Sequence, residues 1–250
     1  MKKKIVIFSG AGISKESGIL TFRDVKDGLW NNHKVEDVAT IEGWKKDRAM
    51  VLDFYNERRR QLPDVHPNEA HIALASLEEE YDVTITTQNV DDLHERGGST
   101  NILHLHGELT KAKGCYGGSR GPFSDVCESI DIGYNDINIG DKDDKFDSQL
   151  RPDIVWFGEY PKHVDRAYQA VRNANILLII GTSLQIGYTL DMLQNVRTDC
   201  EIIYIDPEPM HYLDNYGLKV EYITKTAVEG VTEVVNRLLT QAIGDDKNDK

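Results

Sequence analysis

Apolar and polar positions along the chain fall into short, separable runs. Lys4–Phe8 is an apolar run that stops at Ser9-Gly-Ala-Gly12, the pattern of a buried strand leading into a tight turn. Asp47–Gln61 carries Met50, Val51, Phe54 and Tyr55 on one helical face. Pro67–Glu79 repeats Ala70, Ala73, Leu74 and Leu77 at helical spacing behind an N-terminal proline. Asp82–Thr87, Asn101–His106 and Asp153–Phe157 read as strands. Lys162–Ala174 reads as a helix, Ile176–Ile180 as a fully buried strand, and Tyr188–Val196 as a helix. Glu201–Ile205 and Val220–Ile223 are strands, and Ala227–Ala242 is a closing helix before a polar tail, Gly244–Lys250, expected to fray. Strands alternating with helices predict an α/β fold: an open, mostly parallel sheet with helices on both faces.

Two stretches break that rhythm. Val25–His66 is long and helical. Thr110–Leu150 is polar and rich in Gly and Asp, with eight acidic and two basic residues between Asp125 and Leu150. Both are expected to build a smaller inserted domain. The division is then residues 1–25, 67–109 and 151–243 for a Rossmann-like domain, 26–66 and 110–150 for the small domain, and 244–250 for the tail. At 250 residues with 40% hydrophobic and 28% charged, the chain has an ordinary globular balance. Its net charge of −13 argues against nucleic acid and anionic membrane surfaces as partners. The N-terminal apolar stretch is too short for a secretory core, so a cytoplasmic protein is expected. Cys115, Cys127 and Cys200 are odd in number and include no Cys-x-x-Cys, so neither a disulfide framework nor a four-cysteine zinc site is expected.

In open α/β sheets ligands bind beyond the carboxyl ends of the strands. The first strand is followed by Gly10-Ala11-Gly12, whose backbone can approach a pyrophosphate, although the sixth position of a dinucleotide fingerprint is Lys15 rather than Gly. Other strands lead into Gln88-Asn89-Val-Asp91, His104-Leu-His106-Gly107, Gly158-Glu159, Gly181-Thr182-Ser183 and Asp206-Pro-Glu208. Six such ends describe a nucleotide-sized polyfunctional cleft. Two carboxamides with a carboxylate suit ribose hydroxyls and an amide-bearing ring, or simply make a turn. His106 beside sugar hydroxyls would serve as a general base near neutral pH, or be a structural histidine; His104 reads as packing. Asp206 can accept ribose hydroxyls and disfavour a 2′-phosphate, or cap a turn.

The motifs Gly10-Ala-Gly-Ile-Ser-x-x-Ser-Gly-Ile19, Thr21-Phe-Arg23, Thr87-Gln-Asn-Val-Asp-Asp-Leu-His94, His104-Leu-His-Gly-Glu108, Val155-Trp-Phe-Gly-Glu159 and Gly181-Thr-Ser183 resemble those of the sirtuins, NAD-dependent protein deacylases, in the same order over roughly residues 4–240. Asp27-Gly-Leu-Trp30, Val35–Ala39 and Phe54–Gln61 look like the class III branch, which includes desuccinylases and demalonylases. The resemblance implies NAD as a consumed cosubstrate and acylated-lysine proteins as partners, with no nucleic acid or membrane; it leaves the oligomeric state open, a monomer being favoured. It implies that Gly10, Ala11, Gly12 and Arg23 surround the pyrophosphate and that Phe22 shields the reactive ribose carbon. Gln88 and Asn89 would hold the nicotinamide ribose, Asp91 the carboxamide, and His106 would be the base. Gly181, Thr182, Ser183, Asp206 and Glu208 would hold the adenosine half, with Ala227 near the adenine. Val155 and Phe157 would line the acyl-lysine tunnel and pair their backbone with the substrate as an added strand. The products implied are nicotinamide, deacylated lysine and O-acyl-ADP-ribose.

Three departures and choices follow. Gly occupies the second ligand position after Cys115, and Cys127 also lacks its partner, so no structural zinc and no other metal is expected. Asp206 stands where the family commonly has Asn. Tyr55 and Arg58 lie three apart on one helix, and the resemblance turns them toward the acyl pocket, where Arg58 would fork onto a distal carboxylate; periodicity alone would instead make Arg58, Arg59 and Arg60 a solvated basic face. Against the deacylase reading stand NAD hydrolysis or ADP-ribosyl transfer on the same residues, and a non-catalytic NAD- or ADP-ribose-binding module, which an intact Asn89, Asp91 and His106 disfavours.

Overall fold

A computed structural model describes residues 2–19, 29–30, 33–114, 128–145, 147–185 and 187–248. Strand β1 (Lys4–Ser9) is followed by a 3-10 segment (Ala11–Ser17), the short strands β2 (Leu29–Trp30) and β3 (His33–Lys34), and helices α1 (Val35–Val38), α2 (Ile41–Lys46), α3 (Arg48–Gln61) and α4 (Glu69–Ser76). Then come β4 (Asp82–Thr87), α5 (Leu93–Arg96), β5 (Ile102–His104), β6 (Gly107–Gly114), β7 (Ile130–Asp131), β8 (Leu150–Ile154) and α6 (Val164–Asn173). The chain closes with β9 (Ile176–Ile180), α7 (Gly187–Gln194), β10 (Glu201–Ile205), β11 (Val220–Ile223) and α8 (Ala227–Asn248).

Six strands form one parallel sheet in the order β11-β10-β9-β1-β4-β5. Its alternation puts Ile5, Ile7, Leu178, Ile180, Ile203 and Ile205 on one face, beneath Ala70 and Leu74 of α4 and Val231, Val234 and Leu238 of α8. Val6, Phe8, Leu177, Ile179, Ile202 and Tyr204 fill the other face, under Ala167 and Val171 of α6 and Met192 and Leu193 of α7. Both faces are buried, which is why these strands read as continuous apolar runs. A third core joins Val38, Trp44, Val51, Phe54 and Tyr55 to Leu109, Ala112, Ile137, Ile154 and Trp156. There α1–α3 pack on an antiparallel sheet of order β7-β6-β8. Among the described residues no helix is long and apolar enough to cross a membrane.

Several local expectations need correction. The segment 153–157 does not join the parallel sheet: β8 covers Leu150–Ile154 and pairs antiparallel with β6, so Gly158-Glu159 follows a strand of the smaller sheet. The strand expected over Asn101–His106 stops at His104, and Leu105 and His106 form the turn into β6. Helix α4 starts after Asn68, whose side chain accepts from Ala70 N, rather than at Pro67. Helix α8 runs through Gly244 to Asn248 instead of fraying, since one glycine late in a helix costs only about 1 kcal/mol.

Candidate active site

Strands β1 and β9 are central neighbours, and the chain runs from β1 to β4 and β5 on one side and from β9 to β10 and β11 on the other. Their carboxyl ends therefore make the topological switch point at which α/β sheets open a cleft. Here the two turns pack on each other. Gly10 N donates to Ile180 O at 3.0 Å and Gly12 N to Gly181 O at 2.9 Å. A Cβ on Gly12 would lie 2.6 Å from Gly181 Cα, and one on Gly10 2.7 Å from Thr182 Cβ. These glycines are thus demanded by turn-on-turn packing before any ligand is considered; Ala11 is half-buried between them.

A chain of polar contacts crosses the cleft floor. Asn89 Nδ2 donates to Ser14 Oγ at 3.1 Å, and Ser14 Oγ donates to Asp91 Oδ2 at 3.0 Å. Asn89 and Asp91 are only 5% and 6% exposed. Burial pushes the Asp91 carboxyl up to about 6, while the Leu93 amide and the Ser14 hydroxyl pull it down. Thr182 Oγ1 donates to Gln88 Oε1 at 2.7 Å, tying the β9 turn to the end of β4. His104 is more than packing. Its Nδ1 lies 2.9 Å from Asn89 O and its Nε2 2.8 Å from Glu95 Oε1. Burial opposes charge on His104, but the Glu95 carboxylate outweighs it and holds the ring above its ordinary range. A charged His104 then donates from both nitrogens and clamps the Asn89 backbone.

His106 sits in the turn between β5 and β6, half-buried. Burial pushes its imidazole down to about 4, against the Gln88 carbonyl, which favours the protonated ring. At neutral pH the ring is uncharged and carries a lone pair, as a general base requires. Its Nε2 lies 2.7 Å from the hydroxyl of Tyr188, in the first turn of α7.

The remaining predicted residues flank this centre. Asp206 Oδ1 accepts from Glu208 N at 2.8 Å, the turn-capping role; Asp206 is buried and Glu208 exposed. Ser183 is half-buried after Thr182. Ala227 is buried in the sheet core at the start of α8, beside which Val228 N donates to Glu16 Oε2 at 2.8 Å. Val155 N donates to His106 O and Phe157 N to Ala39 O, both at 2.9 Å, so an added strand would have to meet this segment through its carbonyls. Phe157 is 57% exposed. Tyr55 is buried, and its hydroxyl accepts from Trp156 Nε1 at 3.0 Å. Arg58 donates to Phe54 O at 2.8 Å with its guanidinium 3.3 Å from the Phe54 ring centroid. A solvated Arg58–Arg60 face is not what forms. Arg59 is 0% exposed, donating to Leu109 O at 2.5 Å and Asn56 Oδ1 at 2.7 Å, while Arg60 pairs outside with Asp136.

Phe22, Arg23, Cys115 and Cys127 lie outside the described residues. Among the described residues no group of three or more His, Cys, Asp or Glu could hold a metal ion. The polar set at these strand ends consists of two carboxamides, one carboxylate, three hydroxyls and a neutral imidazole, which fits a ligand bearing sugar hydroxyls and a carboxamide. The sequence reading passes over Ser14 and Tyr188. Ser14 had a signal, a hydroxyl one turn after Gly10-Ala-Gly12. Tyr188 had none, since an aromatic early in a helix reads as core.

A family model described as Sir2 family matches residues 10–187. The chain is 48% identical over 241 residues to a Helicobacter pylori protein named NAD-dependent protein deacylase, covering 96% of this chain and 99% of that one. A Bacteroides thetaiotaomicron protein of the same name is 44% identical over 238 residues, covering 95% and 98%. Among solved structures, a Sir2 homologue in complex with NAD superimposes with a TM-score of 0.81 at 34% identity, over 96% of this chain and 91% of that one.

Proposed function

The chain belongs to the Sir2 family, and from that premise we propose that it is an NAD-dependent protein-lysine deacylase yielding nicotinamide, deacylated lysine and O-acyl-ADP-ribose. The observation that carries the reading is that Asn89 and Asp91, bridged by Ser14 after β4, and His106 after β5 follow neighbouring strands, beside the packed Gly10–Gly12 and Gly181–Thr182 turns. NAD is the consumed cosubstrate, supplying the electrophilic ribose carbon and the nicotinamide leaving group. Asn89, oriented by Ser14 and by His104 on its carbonyl, holds the nicotinamide ribose with Gln88. Asp91 accepts from the nicotinamide carboxamide. His106 takes a proton at Nε2 from a ribose hydroxyl. The family resemblance assigns Gly10, Ala11, Gly12 and Arg23 to the pyrophosphate, Phe22 to shielding the reactive ribose carbon, and Gly181, Thr182, Ser183, Asp206, Glu208 and Ala227 to the adenosine half.

Acylated-lysine proteins are the partners, entering along Val155 and Phe157. Tyr55 and Arg58 read the acyl group; burial brings the Arg58 guanidinium down to about 10, still charged at neutral pH. We keep the inserted small domain at residues 26–66 and 110–150 as a proposal, supported by the separate third core, although β6 begins before it at Gly107 and β8 runs past it to Ile154, and a cytoplasmic monomer is the state we propose for the chain. The test is nicotinamide release from NAD with a panel of acyl-lysine peptides. Release that requires peptide supports the deacylase. Release indifferent to peptide points instead to NAD hydrolysis.

A further inference from the structure

We propose that Tyr188 is a latch on the base: its hydroxyl occupies His106 Nε2 in the ligand-free protein and must leave that atom before a ribose hydroxyl can be deprotonated. The inference rests on the assignment of His106 as the base. An imidazole nitrogen of this kind has one in-plane lone pair. The Gln88 carbonyl favours the protonated ring, and we assign the neutral ring's proton to Nδ1, which leaves the lone pair at Nε2. Tyr188 Oη stands 2.7 Å from Nε2, hydrogen-bond distance, with the two rings edge to face at 87° and centroids 6.1 Å apart. The hydroxyl is therefore the donor, and a ribose hydroxyl needs the same lone pair. Both cannot have it.

Tyr188 does not act as a proton relay in this arrangement. Burial raises its phenol far above the ordinary range, with only the Gln88 side chain opposing, so it keeps its proton. It can compete for Nε2 but cannot accept the proton His106 would pass on. Donation to the neutral ring also favours the neutral ring, so the latch lowers the basicity of His106 in addition to blocking it. The route of release is local. Tyr188 follows Gly187, whose Cβ direction is open space, and lies in the first turn of α7. The backbone there is anchored, Tyr168 donating to Tyr188 O at 3.5 Å and pairing with Asp191, and Thr189 Oγ1 donating to Leu184 O at 3.1 Å. Release is therefore a rotation of the Tyr188 side chain, which lifts the half-buried ring from its packing beside that core while Met192 and Leu193 stay buried in it.

Tyr188→Phe removes the hydroxyl and keeps the ring. The titration of His106 is followed by NMR in the ligand-free wild type and variant, assigned with His106→Gln, and nicotinamide release is measured against NAD concentration with a saturating acetyl-lysine peptide between pH 5.5 and 9. A neutral hydrogen bond contributes roughly threefold to tenfold. The His106 midpoint is expected to rise by about 0.5 to 1 pH unit, and kcat/KM for NAD by about the same threefold to tenfold. A ring that only packs would leave the midpoint where it is. An unchanged midpoint, or a lower kcat/KM in the variant, overturns the latch. Absence of nicotinamide release from the wild type with every peptide would overturn the deacylase reading, while the NMR midpoint would still decide whether Tyr188 holds His106.

Discussion

His106 combines an uncharged ring with a lone pair aimed at a hydroxyl, and that is a property one substitution can remove. His106→Ala is expected to lower deacylation by about 100- to 10,000-fold, the usual contribution of a positioned proton acceptor. NAD affinity, measured by calorimetry, should change far less. Arg58 belongs to the same scale. Its backbone anchor on Phe54 O and its stack on the Phe54 ring hold the guanidinium in place before any substrate arrives. Succinyl- or malonyl-lysine is expected to be removed with a kcat/KM about 10- to 150-fold above acetyl-lysine, the range for a hydrogen bond to a charged group. Arg58→Met should erase the preference and spare acetyl-lysine; equal acetyl activity in the wild type, untouched by the substitution, would remove Arg58 from acyl recognition. Gln88, Asn89, Asp91 and His106 were legible because strand ends can be read from apolar runs. The links through Ser14 and Tyr188 were not, because each joins residues more than 70 positions apart.

At the scale of elements, the β1 and β9 turns form one unit. Gly181 has φ +58°, and a Cβ there would sit 2.6 Å from Ile13 N and 2.7 Å from Gly12 Cα, both backbone atoms that cannot step aside. Gly181→Ala is therefore expected to cost at least about 2 kcal/mol, from the left-handed conformation plus the overlap. Gly217→Ala, at φ +73° with open space around it, should cost only about 1 kcal/mol. Urea midpoints at constant m distinguish the two; equal losses would mean that the turns move apart freely. The elements of the parallel sheet announced themselves because both faces are buried. Strand β6 did not. Gly107–Gly114 alternates only partly, its register with β8 shifts between Glu108 and Ala112, and its polar residues find partners only in the folded chain, as Lys113 does with Asp153 at 3.6 Å.

For the whole molecule, buried histidines set the response to acid. His71 is fully buried, and burial lowers it to about 4, with Glu95 opposing; burial and then the His71 and His104 charges hold His94 well below its ordinary range. Below pH 6.5 the unfolded chain binds these protons and the native chain does not, so stability falls as pH drops from 6.5 toward 4. His71 alone corresponds to about 3 kcal/mol over that window. Asp91 acts in the opposite sense, since its native carboxyl takes a proton near pH 6 and the unfolded one near 3.8, and it offsets about one histidine. A net loss remains. The melting temperature should decline between pH 7 and 4.5, and His71→Gln should flatten the decline; a profile that the substitution leaves unchanged would mean that His71 protonates freely in the native state.

The sequence by itself determined the parallel sheet, its two helical layers and the polar residues at its strand ends. Those features follow from local periodicity and from glycine and proline placement, which the chain carries at short range. Only the tertiary structure decided which strand ends are neighbours, that Gly12 touches Gly181, that Arg59 is buried, Arg58 half-buried and Arg60 exposed, and that Tyr188 rests on His106. Each of these depends on segments far apart in the chain meeting at van der Waals distance. Short-range periodicity states which face a residue occupies; it carries no information about what comes to lie against that face.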